Sequence, residues 1–488
     1  MHNRRAARSH RAAVALLALA LTTGLIMAAA PAAAPASAGG LKKVDAKVLK
    51  AVSGGKSATY WALLSKHADL SAASSIKNWN ARGWYVYNKL TGVANSSQRG
   101  LRSLLNKAGV HYNAFWIVNA IRITSKSGTL SAVAARSDVS RIVPTYKATV
   151  ETPTRTAATA ADIKTVEWGV MNIKAPQVWS TYGDFGQNVT VASIDTGVQF
   201  DHPALKKKYR GISTTGTTVR HDYNWWDPSH ICHPQGLVPC DNNSHGTHTM
   251  GTMVGDDGAG NQIGVAPRAN WIAAKGCESN SCSDFALNSS GQFMLAPTKL
   301  DGSSPRPDLR PQVVNNSWGG GHGDPFYMAV VNSWVSAGIF PAFANGNSGP
   351  ACGSAGSPGD YPNTYAAGAH DINNNIASFS SRGPGGFGNN IKPNVSGPGV
   401  NVRSSVPVNG YANFNGTSMA TPHLSGTVAL IISGAPALRG NINGIRAALD
   451  QGAIDVNNTS CGGTPGNNNV WGEGRLDAFA SVTIAKGP

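Results

Sequence analysis

Three short glycine-bearing segments carry side chains that together could perform acyl transfer. In Ser193-Ile194-Asp195-Thr196-Gly197 an apolar run ends directly on a carboxylate. In His245-Gly246-Thr247-His248-Thr249-Met250-Gly251 two imidazoles stand three residues apart, and Asn415-Gly416-Thr417-Ser418-Met419-Ala420-Thr421-Pro422 puts Ser418 ahead of an apolar helical run through Leu424, Val428, Leu430 and Ile431. A hydroxyl that attacks, an imidazole that carries its proton and a carboxylate that fixes the imidazole tautomer make up a nucleophilic acyl-transfer site. Each segment alone has a plainer reading. An Asp closing a strand is ordinarily a turn former, a Ser opening a helix is ordinarily an N-cap, and a histidine pair on one helix face can hold a metal. The zinc-peptidase pattern H-E-x-x-H needs a glutamate that this run lacks, so His245 reads as a base and His248 as a packed structural histidine. At a helix start Ser418 stands among unpaired backbone N–H groups, which favour developing negative charge.

With all three present in the order Asp, His, Ser, the segments resemble the signature motifs of the subtilases over residues 165–480. Phe343-Ala344-Asn345-Gly346-Asn347-Ser348-Gly349 resembles the subtilase strand end that supplies the oxyanion-hole asparagine, and its Gly-Asn pair selects Asn347 over Asn345. Asn315-Asn316-Ser317-Trp318-Gly319-Gly320 resembles the edge segment that pairs with extended substrate, so Ser317, Trp318, Gly319 and Gly346 are expected to bind substrate. Ser380-Ser381-Arg382-Gly383-Pro384 and Lys392-Pro393-Asn394-Val395 resemble downstream structural segments, and the whole is most like the bacillopeptidase F branch. The resemblance implies a subtilisin-like three-layer α/β domain with a central parallel sheet and a serine endopeptidase acting on polypeptides through an acyl-enzyme. It also implies a self-processed precursor whose own prodomain is an intramolecular inhibitor. The chemistry requires no cofactor, and a structural calcium ion is left open.

Two departures from the family pattern stand out. The usual Val-Ala after the second histidine is Thr249-Met250, read as a packing change, and the position after His202-Pro203, where many subtilases place an acidic calcium ligand, is Ala204. Asp256, Asp257 and Asn261 offer a replacement set of oxygen ligands, set against the reading of a solvated turn. An esterase with the same triad is disfavoured because Ser418 lacks the Gly-x-Ser-x-Gly elbow.

These groups need a scaffold that brings distant segments together. Apolar strand candidates at 189–194, 271–274, 313–316, 339–344 and 365–369 alternate with helical patterns, including the rows Phe326, Val330, Trp334 and Tyr327, Val331, Val335. That alternation predicts a parallel sheet with its chemistry at the C-terminal strand ends. Residues 59–150 read as a small α+β, ferredoxin-like unit: a strand at 60–64, a helix at 97–108, an extended stretch at 112–123, a helix at 130–139 and a strand at 142–150. Residues 39–58 and the Thr/Ala-rich 151–164 read as linkers, the second expected to hold the maturation cut between 150 and 161. The peptidase domain is assigned to 165–488.

Charge and cysteine usage narrow the setting. Of 41 basic and 25 acidic residues, about 22 basic but only 4 acidic ones precede residue 160, so the remainder is nearly neutral and offers no nucleic-acid footprint. Arg4, Arg5, Arg8 and Arg11 before an apolar run at 12–27 and Ala36-Ser37-Ala38 predict a signal peptide over 1–38, hence a secreted chain free of the membrane after its removal. A monomer is expected. The six cysteines Cys232, Cys240, Cys277, Cys282, Cys352 and Cys461 are then expected to form disulfides. Short spacings favour 232 with 240 and 277 with 282, leaving 352 with 461; a zinc site from His230, Cys232, His233 and Cys240 is the alternative.

Overall fold

The computed structural model describes residues 41–150, 165–213 and 215–487. The expected leader and the 151–164 linker lie outside the described residues.

The N-terminal unit is a four-stranded antiparallel sheet in the order β2-β3-β1-β4, formed by β1 (Ala58–Leu64), β2 (Tyr112–Phe115), β3 (Ala120–Ser125) and β4 (Val139–Pro144). One face of the sheet packs Tyr60, Ala62, Ile121, Ile123 and Ile142 against Leu101, Leu105, Leu130 and Val133 of its helices. Three features differ from the sequence reading. Residues 46–51 are helical, with Val44, Val48 and Val52 in the core, so part of the expected 39–58 linker belongs to the folded unit. A 19-residue helix, Trp79–Ser97, was not foreseen, because its buried positions Gly83, Val86, Leu90 and Ala94 form a narrow stripe of small and medium side chains. The stretch 112–123 is a hairpin broken by a turn at 116–119. A short strand β5 (Lys147–Thr149) then leaves the unit.

The larger domain is built on seven parallel strands in the order β13-β12-β11-β10-β6-β8-β7. Here β6 is Thr190–Asp195, β7 Trp225–Trp226, β8 Asn270–Lys275, β10 Val313–Asn316, β11 Phe340–Ala344, β12 Tyr365–His370 and β13 Val395–Pro398; β9 (Ser281–Ser283) pairs with β5. The central strands are buried on both faces, which explains their continuous apolar sequences. Helices cover both faces and make the three-layer α/β architecture that the motifs implied. Thr417–Gly434 is buried along nearly its whole length and packs against β10, β11, β12 and β13. A two-stranded ribbon, β14 (Val402–Val406) and β15 (Gly410–Phe414), delivers the chain to that helix. Three disulfides, Cys232–Cys240, Cys277–Cys282 and Cys352–Cys461, close loops of this domain. With Cys232 and Cys240 joined, no thiolate remains for the alternative zinc site.

Candidate active site

Parallel strands deliver the chemistry to one edge. Asp195 is the last residue of β6, Ser317 follows β10 and Asn347 follows β11, and all three strands are neighbours. His245 opens the buried helix His245–Val254, which packs against the Thr417–Gly434 helix carrying Ser418 in its first turn.

His245 Nδ1 and Asp195 Oδ1 lie 2.8 Å apart with both side chains fully buried. The Thr196 backbone N–H donates to the same carboxylate oxygen at 2.7 Å, and the Thr249 hydroxyl lies 3.2 Å from Oδ2. Because a buried carboxylate is costly unless its oxygens are satisfied, these donors hold Asp195 in position and leave the imidazole to donate through Nδ1. Its other nitrogen, Nε2, is buried without a hydrogen-bond partner among the described residues. Ser418 Oγ donates to the Ser317 carbonyl at 3.1 Å rather than to His245.

Asn347 follows the same logic. Its carboxamide oxygen accepts both the backbone N–H and the hydroxyl of Thr417, each at 2.8 Å, which leaves Nδ2 as the donor on offer. Gly416, at φ 151°, matters here, since a Cβ would come within 3.3 Å of that Nδ2. Asn345 is fully buried and donates to the Ser381 carbonyl at 2.6 Å, a structural role. Ser317, Trp318, Gly319, Gly346, Asn347 and Ser418 all line one cavity of about 410 Å³. The Trp318 ring, however, is 2 % exposed and packs edge-on against Tyr327 and Phe343, so it supports the cavity wall from the core.

His248 is a structural histidine. Its Nε2 lies 2.9 Å from the Val402 carbonyl, its ring stacks on Phe414, and burial pushes its pKa down to about 3, keeping it neutral. In the 256–261 turn the side-chain oxygens of Asp257 and Asn261 are occupied, and Asp256 Oδ1 accepts from the Gly258 N–H at 2.8 Å. Asp257 accepts from the backbone of Ala259 and Asn261, from Asn261 Nδ2 and from the Tyr411 hydroxyl, while Asn261 Oδ1 accepts from Arg403. Among the described residues no cluster of three or more acidic, histidine or cysteine side chains could hold a metal ion.

Two groups escaped the sequence reading. Asp241 fastens the histidine helix to the Asp195 strand: one oxygen accepts from Thr196 Oγ1 and the Asn243 and Ser244 N–H groups, the other from Thr247 N and Oγ1. Its sequence signal was an Asp just ahead of the His helix. Thr249 was read as packing only, yet its hydroxyl reaches the Asp195 carboxylate. Nothing local in sequence links positions 195 and 249.

Residues 186–474 match the subtilase family profile. The chain is 37% identical to bacillopeptidase F of Bacillus subtilis over 439 residues, covering 86% of this chain but only 30% of that much longer protein. It is 30% identical to subtilisin E of Bacillus subtilis over 371 residues, 76% of this chain and 85% of that protein, and 31% identical over 303 residues to alkaline elastase YaB of a Bacillus species, 62% and 69% respectively. From the matched profile, the parallel sheet and the residues gathered at its edge, this chain belongs to the subtilase family.

Proposed function

We propose that the chain is a secreted serine endopeptidase, made as a precursor that processes itself and acting as a monomer on extracellular polypeptides. The observation that carries this reading is the state of His245: Nδ1 is held by a buried carboxylate while Nε2 has no hydrogen-bond partner among the described residues, which leaves it open to act as a general base. Ser418 Oγ attacks the substrate carbonyl carbon as Nε2 takes its proton. The tetrahedral oxyanion is held by Asn347 Nδ2 and the Ser418 N–H, and the C–N bond breaks as His245 returns the proton to the leaving amine. Water then hydrolyses the acyl-enzyme through the same relay. Asp195 keeps the tautomer and stabilises the imidazolium.

The residues need no metal for these steps. Among the described residues no helix is long and apolar enough to cross a membrane. The N-terminal unit serves as the intramolecular inhibitor. Its Trp61 and Arg122 side chains and its Tyr146 N–H converge on Asp284 of the larger domain, and Arg82 donates to the carbonyls of Val335, Ser336 and Gly440.

Treatment of the processed protein with a serine-directed fluorophosphonate is expected to label Ser418 and abolish peptide hydrolysis together. A folded protein that never labels refutes the enzyme reading and leaves a noncatalytic binding protein on the same fold.

A further inference from the structure

Beside the Asp195–His245 pair lies a buried cation that takes no part in the acyl transfer itself. Lys275 is the last residue of β8, pairs in register with Asp195 at the end of β6, and is 0 % exposed. Its ammonium donates to the Thr196 carbonyl and, at 2.7 Å, to Asn242 Oδ1. Asn242 is oriented in turn by its Nδ2, which donates to the Glu278 carbonyl at 3.0 Å. One side chain thus joins the turn after the Asp195 carboxylate, the lead into the His245 helix and the loop that follows β8. Thr196 is fixed through each of its polar groups. Its N–H donates to Asp195 Oδ1 at 2.7 Å, its hydroxyl donates to Asp241 Oδ1 at 2.9 Å and accepts from the Gly246 N–H at 2.9 Å, and its carbonyl is held by Lys275. Removing the lysine therefore loosens the residue whose N–H steadies Asp195 against His245.

Lys275 forms no direct ion pair among the described residues. Asp241, Asp227, Asp195 and Glu278 act on it at longer range. Each of these carboxylates is engaged by other donors: Asp241 by Thr196 and Thr247, Asp227 by the Ser229 and Cys232 N–H groups, Asp195 by His245 and the Thr196 N–H, and Glu278 by the Ser229 and Ser283 hydroxyls. Burial lowers the Lys275 pKa from the ordinary lysine range, and the four carboxylates oppose that shift. Both of its hydrogen-bond partners are acceptors, as an ammonium requires. A buried charge is screened little by salt, so this one opposes a second positive charge on the His245 ring. The ring's other titratable neighbours are the Asp195 carboxylate and His248, which burial keeps neutral.

We propose that Lys275 is a positioning residue for proton transfer: it locks the Thr196 turn beside Asp195, and its charge keeps the His245 imidazole free to accept the Ser418 proton down to lower pH. The inference rests on the peptidase reading above. Lys275 touches neither substrate nor nucleophile in this role and acts through Thr196 and through its field.

The test is the pH dependence of kcat and kcat/KM on a peptide amide for the processed protein beside Lys275→Met and Lys275→Gln. Methionine keeps the length of the side chain without charge or donor, whereas glutamine keeps a donor for the Thr196 carbonyl without the charge. Loss of the cation makes the imidazolium easier to form, so the acid limb of kcat/KM should move to higher pH in both variants, by about half a pH unit or more. Loss of the donor should lower kcat of Lys275→Met about tenfold or more with KM nearly unchanged, and Lys275→Gln should lose less. An acid limb that stays at the parent position in either folded variant overturns the role of the charge. A Lys275→Met kcat at the parent level, or a rise in KM alone, overturns the positioning role and leaves Lys275 as support for the cleft wall. Should the methionine variant fail to fold, the glutamine variant reads the charge by itself. A parent protein that never labels with fluorophosphonate overturns the peptidase reading; a parent that labels, with variants that keep its profile, overturns the assignment of Lys275 alone.

Discussion

Replacing Thr249 by valine is the most informative single change, because it keeps shape and removes one hydroxyl. That hydroxyl lies 3.2 Å from Asp195 Oδ2 and 3.1 Å from the Gly246 carbonyl, and it has one hydrogen to share between them. A hydrogen bond to a charged group contributes about 1.5–3 kcal/mol, and sharing the hydrogen brings this one to the bottom of that range or just below it, about 1–1.5 kcal/mol. Asp195 Oδ1 keeps His245 and the Thr196 N–H, so the pair should survive while Oδ2 loses its hydroxyl partner. If the stabilisation is felt mainly in the transition state, when His245 becomes cationic, kcat falls roughly 5- to 13-fold with KM nearly unchanged. Steady-state kinetics on a peptide amide, with Thr249→Ser beside Thr249→Val, isolates the hydroxyl from packing. Serine should retain at least half of the parent rate. Valine as active as the parent would mean that the proton belongs to Gly246, and serine as poor as valine would mean that the hydroxyl does not suffice without the packing of its methyl neighbour.

Other expectations follow from the same geometry. Asn347→Ala should lower kcat by about 10² to 10³ with little change in KM, the range established for one oxyanion donor in subtilisin; a loss below about tenfold removes Asn347 from that role. Asp284 is 1 % exposed and accepts from Trp61, Arg122 and Tyr146 of the N-terminal unit. Truncating it to alanine should weaken the hold of that unit by roughly 3 kcal/mol, about 150-fold, seen as a shortened lag before activity appears; an unchanged lag places the inhibitory contacts elsewhere. Burial holds His370 and His423 at about 4 and His248 at about 3, so all three are neutral in the folded protein and take up protons more readily when unfolded. Stability is therefore fully present above pH ~6.5 and is lost as pH falls toward 4, by about 3 kcal/mol for each of His370 and His423. Thermal unfolding of Ser418→Ala, which cannot digest itself, should show a melting temperature falling across that window, and a flat profile from pH 7 to 4.5 contradicts the assignment.

The central sheet was legible from residues alone, and the candidate groups Asp195, His245 and Ser418 stood out in short glycine-bearing segments, whereas Asn347 was singled out only through the resemblance to the subtilases. The five central strands were legible too, because strands buried on both faces read as unbroken apolar runs. The Trp79–Ser97 helix was not, since its buried stripe is made largely of small residues that periodicity barely registers.

What only the tertiary structure decided are contacts between residues distant in the chain. It turned Thr249 from a packing substitution into a neighbour of the Asp195 carboxylate, occupied the side-chain oxygens of Asp257 and Asn261, and sent the Trp318 ring into the core. It also set the register of Lys147–Thr149 against Ser281–Ser283 and Gly319. The physical reason is common to all of these. Side-chain type and local periodicity are properties of neighbours in sequence, whereas hydrogen-bond satisfaction and strand register are settled only when separate segments are packed into the same buried space.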